Sequence, residues 1–247
     1  MTLHDDSSST PRTSTDGWAK PVSKLSMGVA PTGAINLNVN GKHITGPLKG
    51  FGQLWQKTYS VRLAGSEIAP TDLIKVWKAE FPNFWPDGNR FYGAAGQIEP
   101  GDVALLNLSG PGGATISTGI LVIYADAESF SFMTPQGHIF AGMITFSSHE
   151  DDGTTVAQIQ ALVRASDPIY EMGCRVGIAH KSEDAFWHGT LRSLAARFGV
   201  NGIVQQRNSL IDPRMQWSAA GDVWHNAAVR TTLYAPVNAV RRLFTPG

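Results

Sequence analysis

The chain has 247 residues, with 20 Lys and Arg against 20 Asp and Glu and a formal net charge of +0. That balance argues against bulk attraction to nucleic acid, which needs a clustered basic excess, and the single cysteine, Cys174, excludes an internal disulfide or a cysteine-rich metal site. Hydrophobic residues make up 42% and charged residues 16%, enough apolar matter for a core, with much of the rest being Gly, Ser and Thr of the kind that builds strands and turns.

Residues 1–33 are rich in Ser, Thr, Pro and Asp, and are expected to be a disordered tail. They show no apolar segment of a signal peptide, and no run of about 18 apolar residues occurs anywhere. The expectation is a cytoplasmic protein with no transmembrane segment. Order is expected from "AINLNVNGKHITGP", where Asn40–Gly41 reads as a hairpin turn. "FGQLWQKTYSVRL" reads as a strand, with Phe51, Trp55, Tyr59, Val61 and Leu63 in one parity and Gln53 and Lys57 interrupting it. "APTDLIKVWKAEF" changes period: Pro70 opens a helix that carries Ile74, Trp77 and Phe81 on one face, and Pro82 stops it. An aromatic link, "PNFWPDGNRFYG", follows.

Strands are expected at 102–108, 115–125 and 129–133, then in "IFAGMITFSS" and "TTVAQIQALVRA", the last two joined through Asp-Gly as an antiparallel hairpin. In the final strand Ala157, Ile159, Ala161, Val163 and Ala165 form one face, and Gln158, Gln160 and Arg164 the other. Asp167 and Pro168 open a helical corner. "SEDAFWHGTLRSLAARFG" is the clearest helix, with Ser182 as its expected N-cap, Gly199 as its stop, and an apolar stripe of Trp187, Leu191, Leu194 and Phe198. Residues 200–247 are expected to be a partly helical extension that breaks at Pro236.

Sites with chemistry are sparse. "LSGPGGATISTG" leads into a strand and lacks the Lys-Ser/Thr of a phosphate loop. His149, Glu150, Asp151 and Asp152 splay around a turn, so no metal is expected there, and no cofactor is expected. His138, after "TPQG", is the best candidate acid or base, with Glu171 or Asp167 to orient it if the fold brings them together; otherwise it caps a strand. Glu171 and Arg175 are spaced as a helical ion pair. Trp55, Tyr59, Trp85, Phe91, Tyr92, Phe132, Phe140 and Phe146 fill a core or line a cavity.

"FMTPQGHIFAGMITFS", "TVAQIQALVRASDPIYEMG" and "FWHGTLRSLAARFGV" resemble the START-like (SRPBCC) helix-grip superfamily, which includes Bet v 1-like and polyketide cyclase/dehydratase-like proteins. The resemblance is to a bacterial branch in which a "TPEGH…G" strand and an "ASDP…YE" corner precede a last helix that opens with Phe-Trp. It spans residues from about 47 to about 200, and carries no catalytic motif across.

The resemblance implies an α+β domain over 34–199, a curved antiparallel sheet wrapped around a long C-terminal helix. It implies a small apolar ligand, lipid-, sterol- or polyketide-like, between sheet and helix. The ligand-binding candidates are then Trp55, Tyr59, Tyr92, Phe140, Gln160, Arg164, Tyr170, Trp187 and Leu191, with Gln158 as a further polar one. Whether the domain is an enzyme stays open. Two alternatives stand beside binding. One is a cofactor-independent cyclase, dehydratase or hydrolase that uses His138. The other is self-association or partner contact through 200–247, where Arg230, Arg241 and Arg242 alternate with Leu233, Val240, Leu243 and Phe244.

Overall fold

Period-two alternation of side chains organises most of the chain into one antiparallel sheet. The structure is a computed structural model and describes residues 17–93 and 98–244, with the backbone alone described from 236 onward. The strands are β1 (Ile44–Thr45), β2 (Leu54–Arg62), β3 (Arg90–Tyr92), β4 (Val103–Ser109), β5 (Thr115–Ala125), β6 (Ser129–Pro135), β7 (Phe140–Asp151), β8 (Thr154–Ala165) and β9 (Val204–Asp212). Their order across the sheet is β3-β4-β5-β6-β7-β8-β2-β9, with β1 paired to β6. The Asp-Gly turn closes β7 and β8 in unbroken register from Phe140↔Ala165 to Asp151↔Thr154. Asp152 and Gly153 there both take positive φ, as the tight turn requires.

The helices are α1 (Pro70–Ala79), α2 (Pro168–Arg175), α3 (Ile178–Arg197) and α4 (Ala227–Phe244). α1, a 3-10 turn at Phe81–Phe84, and α3 cover one face of the sheet. Tyr59, Val61, Leu106, Val122, Phe130, Phe132, Phe146 and Ile159 of the sheet meet Leu73, Ile74, Trp77, Phe81, Leu191 and Leu194 there. A second cluster, Phe140, Ala161, Val163, Ala165, Tyr170 and Cys174, lies under α2.

The opposite face is covered in part by the two ends of the chain. Leu25 and Val39 pack on Leu105 and Leu121. Asn38, 1% exposed, bonds the Ser117 carbonyl at 2.7 Å and Thr231 Oγ1 at 3.2 Å, and accepts from Arg230 Nε at 2.8 Å.

Several expectations change here. Residues 17–33 were expected as tail, yet Trp18 bridges to Tyr124 and Leu25 is buried; residues 1–16 lie outside the described residues. Gly41 makes its turn, but the strand partner is absent: the Gly41 N–H donates to the Leu25 carbonyl instead. α3 begins at Ile178, one turn before Ser182, because Gly177 in the left-handed region ends α2 and lets a new helix start. The extension contributes β9, and α4 runs through Pro236 without a break.

Candidate functional site

Phe81 is the hub of the space between sheet and helices. Its ring centroid lies 5.8 Å from Trp85, 5.3 Å from Phe91, 5.5 Å from Phe130, 5.4 Å from Phe132 and 5.1 Å from Phe146. Trp77 stands edge-on to Phe130 and Phe146. The shell reaches the surface at one corner, where the half-buried Trp85, Phe91, Phe186 and Trp187 meet; Trp85 is 5.0 Å from Phe186, and Phe186 is 4.6 Å from Trp187. α3 brings Phe186 and Trp187, the Pro-stopped 3-10 turn brings Trp85, and β3 brings Phe91. Two polar atoms in this shell, Trp77 Nε1 and Trp85 Nε1, are buried without a hydrogen-bond partner. A buried N–H lacking an acceptor costs about 1–3 kcal/mol, so the shell holds two donors that an acceptor would satisfy.

A charged layer separates the two apolar clusters. Lys57, with its side chain 1% exposed, reaches from β2 to α3 and contacts Glu183 Oε2 and Asp184 Oδ1, each at 2.8 Å. The Tyr59 hydroxyl donates to Asp184 Oδ1 at 2.7 Å. His180 Nδ1 lies 3.8 Å from Glu183 Oε2, with its ring near Trp55 and stacked on Phe140. Burial alone would lower the Lys57 pKa, but the two carboxylates outweigh it and hold it above the usual lysine value. Burial pushes Asp184 up, and the hydrogen bonds of Lys57, Tyr59 and Gln206 more than reverse that, leaving it low. This layer holds α3 on β2 through fixed charges.

The topology decides the architecture: an antiparallel sheet closed over a long helix whose apolar stripe faces the sheet. The fold is α+β, a helix-grip. No family model matches the sequence, and no curated protein matches it. Solved structures similar to this helix-grip chain include the di-domain ARO/CYC StfQ from the steffimycin biosynthetic pathway, at 15% identity over 60% of this chain and 53% of that one, TM-score 0.46. They also include the KanY protein, at 10% identity over 60% and 99%, TM-score 0.45. A third is major latex-like protein 151 from Panax ginseng, at 18% over 60% and 99%, TM-score 0.39. The chain thus spans about half the length of the StfQ di-domain. Among the described residues no helix is long and apolar enough to cross a membrane.

Within the helix-grip, Trp187 and Leu191 face the aromatic shell, Tyr59 faces the charged layer and the shell together, and Trp55 and Phe140 flank His180. The other candidates leave the interior. Tyr92 turns to the outer face, where its hydroxyl donates to the Gly33 carbonyl at 3.2 Å. Gln160 is exposed on the outer face, in a groove of about 600 Å³ that it shares with Gln158, Thr58 and Arg207. Strand parity is the reason: both lie opposite Ala161 and Ile159. Arg164, of the same parity, is 2% exposed and donates to the Gly52 carbonyl at 2.8 Å, the Arg214 carbonyl at 3.0 Å and Asp212 Oδ2 at 2.7 Å. Tyr170 joins α2 to α4, accepting the Ala228 N–H at 3.0 Å, with its phenol raised chiefly by burial. Arg164→Ala is therefore expected to lower the melting temperature by several degrees while leaving apolar-probe affinity unchanged, measured by thermal unfolding and by titration of the folded variant.

His138 sits in the β6–β7 turn and accepts the Phe140 N–H at 3.1 Å on Nδ1. Burial pushes its pKa down to about 4, so the ring is neutral at pH 7. Neither proposed partner reaches it. Asp167 caps α2 and accepts Asn226 Nδ2 at 2.8 Å, while Glu171 pairs with Arg175 at 3.0 Å. The constellation expected of His138 with Asp167 or Glu171 does not form, and His138 bonds the strand end. Burial, above all, pushes Cys174 up to about 12, so it rests as a thiol at pH 7. Asp151 of the acidic turn engages Arg62. The sequence reading missed Lys57, Glu183 and Asp184. The available signal was a lysine in the apolar parity of a strand, matched by an acidic pair on the helix expected to cover it.

Proposed function

We propose that the protein binds a small, flat apolar molecule bearing at least one hydrogen-bond acceptor, between the sheet and α3. The observation that carries this reading is the pair of buried indole N–H groups, on Trp77 and Trp85, inside a shell of rings. Aromatic walls supply apolar contact area without fixing chemistry, and one or two polar groups then orient the guest. Trp85 belongs to the half-buried corner and is the donor a guest reaches first. The lipid-, sterol- or polyketide-like identity suggested by the sequence resemblance fits this reading at its polyketide end, where rings carry carbonyl and hydroxyl oxygens.

Trp85→Phe keeps a ring and deletes the donor. It is expected to weaken binding of an acceptor-bearing probe such as a naphthol about 3- to 10-fold, the worth of roughly one hydrogen bond, and to leave naphthalene binding unchanged. Intrinsic tryptophan fluorescence and calorimetric titration measure both. A wild-type protein that takes up neither probe, or a variant that loses both equally, sinks the proposal.

A further inference from the structure

β9 is the outermost strand at one end of the sheet and, among the described residues, pairs only with β2. Edge strands expose a row of backbone donors and acceptors, and natural sheets blunt them with Pro, inward-pointing charge, bulges or short length. The opposite edge follows that rule: β3 has three residues. β9 does not. Its nine residues, VQQRNSLID, contain no proline, and six of them, including Gln205 through Asn208, are exposed. Of its two charged residues, Asp212 is already engaged by Arg164 and Arg214.

We infer that β9 pairs antiparallel with β9 of a second copy of this chain, about a two-fold axis through Asn208. The register is chosen by charge. Centred on Asn208, it sets Gln206 against Leu210 and Arg207 against Ser209 within the regular part of the strand, and leaves the bulged Ile211 at the margins of the pairing. Each guanidinium then faces a hydroxyl, and the two Arg207 side chains are only diagonal neighbours. Centred on Arg207 instead, the strands would set two guanidiniums directly opposite, which is destabilising. The partly exposed Leu210, at 43%, gains cover from the Gln206 side chain opposite it. The axis stands perpendicular to the sheet, so both outer faces stay on one side, an isologous arrangement. The groove lined by Gln56, Gln158, Gln160, Gln205, Arg207 and Ser209 continues across the join, and its scarcity of charge lets two such faces meet without repulsion. The sequence placed self-association within 200–247 on the basic residues near the C-terminus. Arg230 is instead turned onto Asn38 and the Leu37 carbonyl of its own chain, while the side chains of Arg241 and Arg242 lie outside the described residues. The free pairing capacity lies in β9.

Light scattering coupled to size exclusion is expected to give twice the chain mass for the wild type. Asn208→Lys and Asn208→Glu each place like charges opposite at the axis, so each is expected to give half that mass, with an unchanged circular dichroism spectrum. An equimolar mixture of the two is expected to restore the dimer. Amide exchange on the wild type gives an independent reading should a variant misfold: β9 amides that point away from β2 are protected in the dimer. A wild type that stays monomeric at the highest soluble concentration overturns the inference. So does a dimer whose mass neither substitution changes, or one whose outward β9 amides exchange freely.

Discussion

Lys57→Met is expected to lower folding stability by about 3–5 kcal/mol, because it strands Glu183 and Asp184 on the sheet side of α3 without their cation. The side chains of the three groups are 1%, 8% and 27% exposed, so solvent replaces little of what is lost. Removing all the charges together, as Lys57→Met with Glu183→Gln and Asp184→Asn, is expected to restore most of the loss, since neutral groups of similar shape need no counter-ion.

The pH dependence separates this account from a simple packing defect. In the wild type, Asp184 is held below its ordinary value, so its contribution is present above about pH 4 and is lost as pH falls through the depressed folded pKa. Lys57 is held above its ordinary value, so its contribution is complete below about pH 10 and is lost only as pH rises through the raised folded pKa. Between them lies a plateau. In Lys57→Met the uncompensated carboxyls prefer their protons, so stability falls as pH rises from about 5 to 8. Urea unfolding at both ends of that range measures it. A loss under 1 kcal/mol, or one equal at the two pH values, would contradict the assignment of the layer as a buried ionic clamp.

Phe81→Ala is expected to cost a similar amount, about 3–5 kcal/mol, by a different route. Phe81 is fully buried and touches five rings, so its loss leaves a void walled by aromatics. Such a void stays dry and accepts small apolar guests. Benzene or indole is therefore expected to raise the melting temperature of the variant, by mass action on the folded state, well beyond any rise in the wild type. A variant that is equally destabilised and gains nothing from either guest would mean that the surrounding rings collapse into the gap.

Much of the fold was legible because local chemistry and the final arrangement agree. The Asp-Gly turn, the Pro70 start of α1, the Asp167 cap and the apolar stripe of α3 each depend on near neighbours, and each stands where the sequence puts it. β9 was not legible, since an edge strand wet on both faces has no period-two contrast; VQQRNSLID reads as coil. Nor was the destination of Gln160 and Arg164. Their parity was plain, but an appealing polar residue is easily granted to a pocket that strand geometry denies it. The charged layer was hidden for the opposite reason. Lys57 looked like an interruption in an apolar face, and its meaning depends on Glu183 and Asp184, more than a hundred residues away, being brought over it. The orphan indoles are invisible to sequence altogether, because only packing decides whether an N–H finds an acceptor.

The Asn38 clamp has a consequence for how the chain is made. Asn38 and Thr231 stand 193 residues apart in sequence. At typical synthesis rates that interval lasts on the order of 10–40 s. For the later part of it the outer face of β5 has emerged, while α4, which packs on that strand, does not yet exist. The helix-grip can gather its interior early, but it cannot be sealed on the outside until α4 leaves the ribosome. The nascent protein thus passes through a period as a body with its core formed and one flank open, the stage at which a chaperone, or another nascent copy, would meet it.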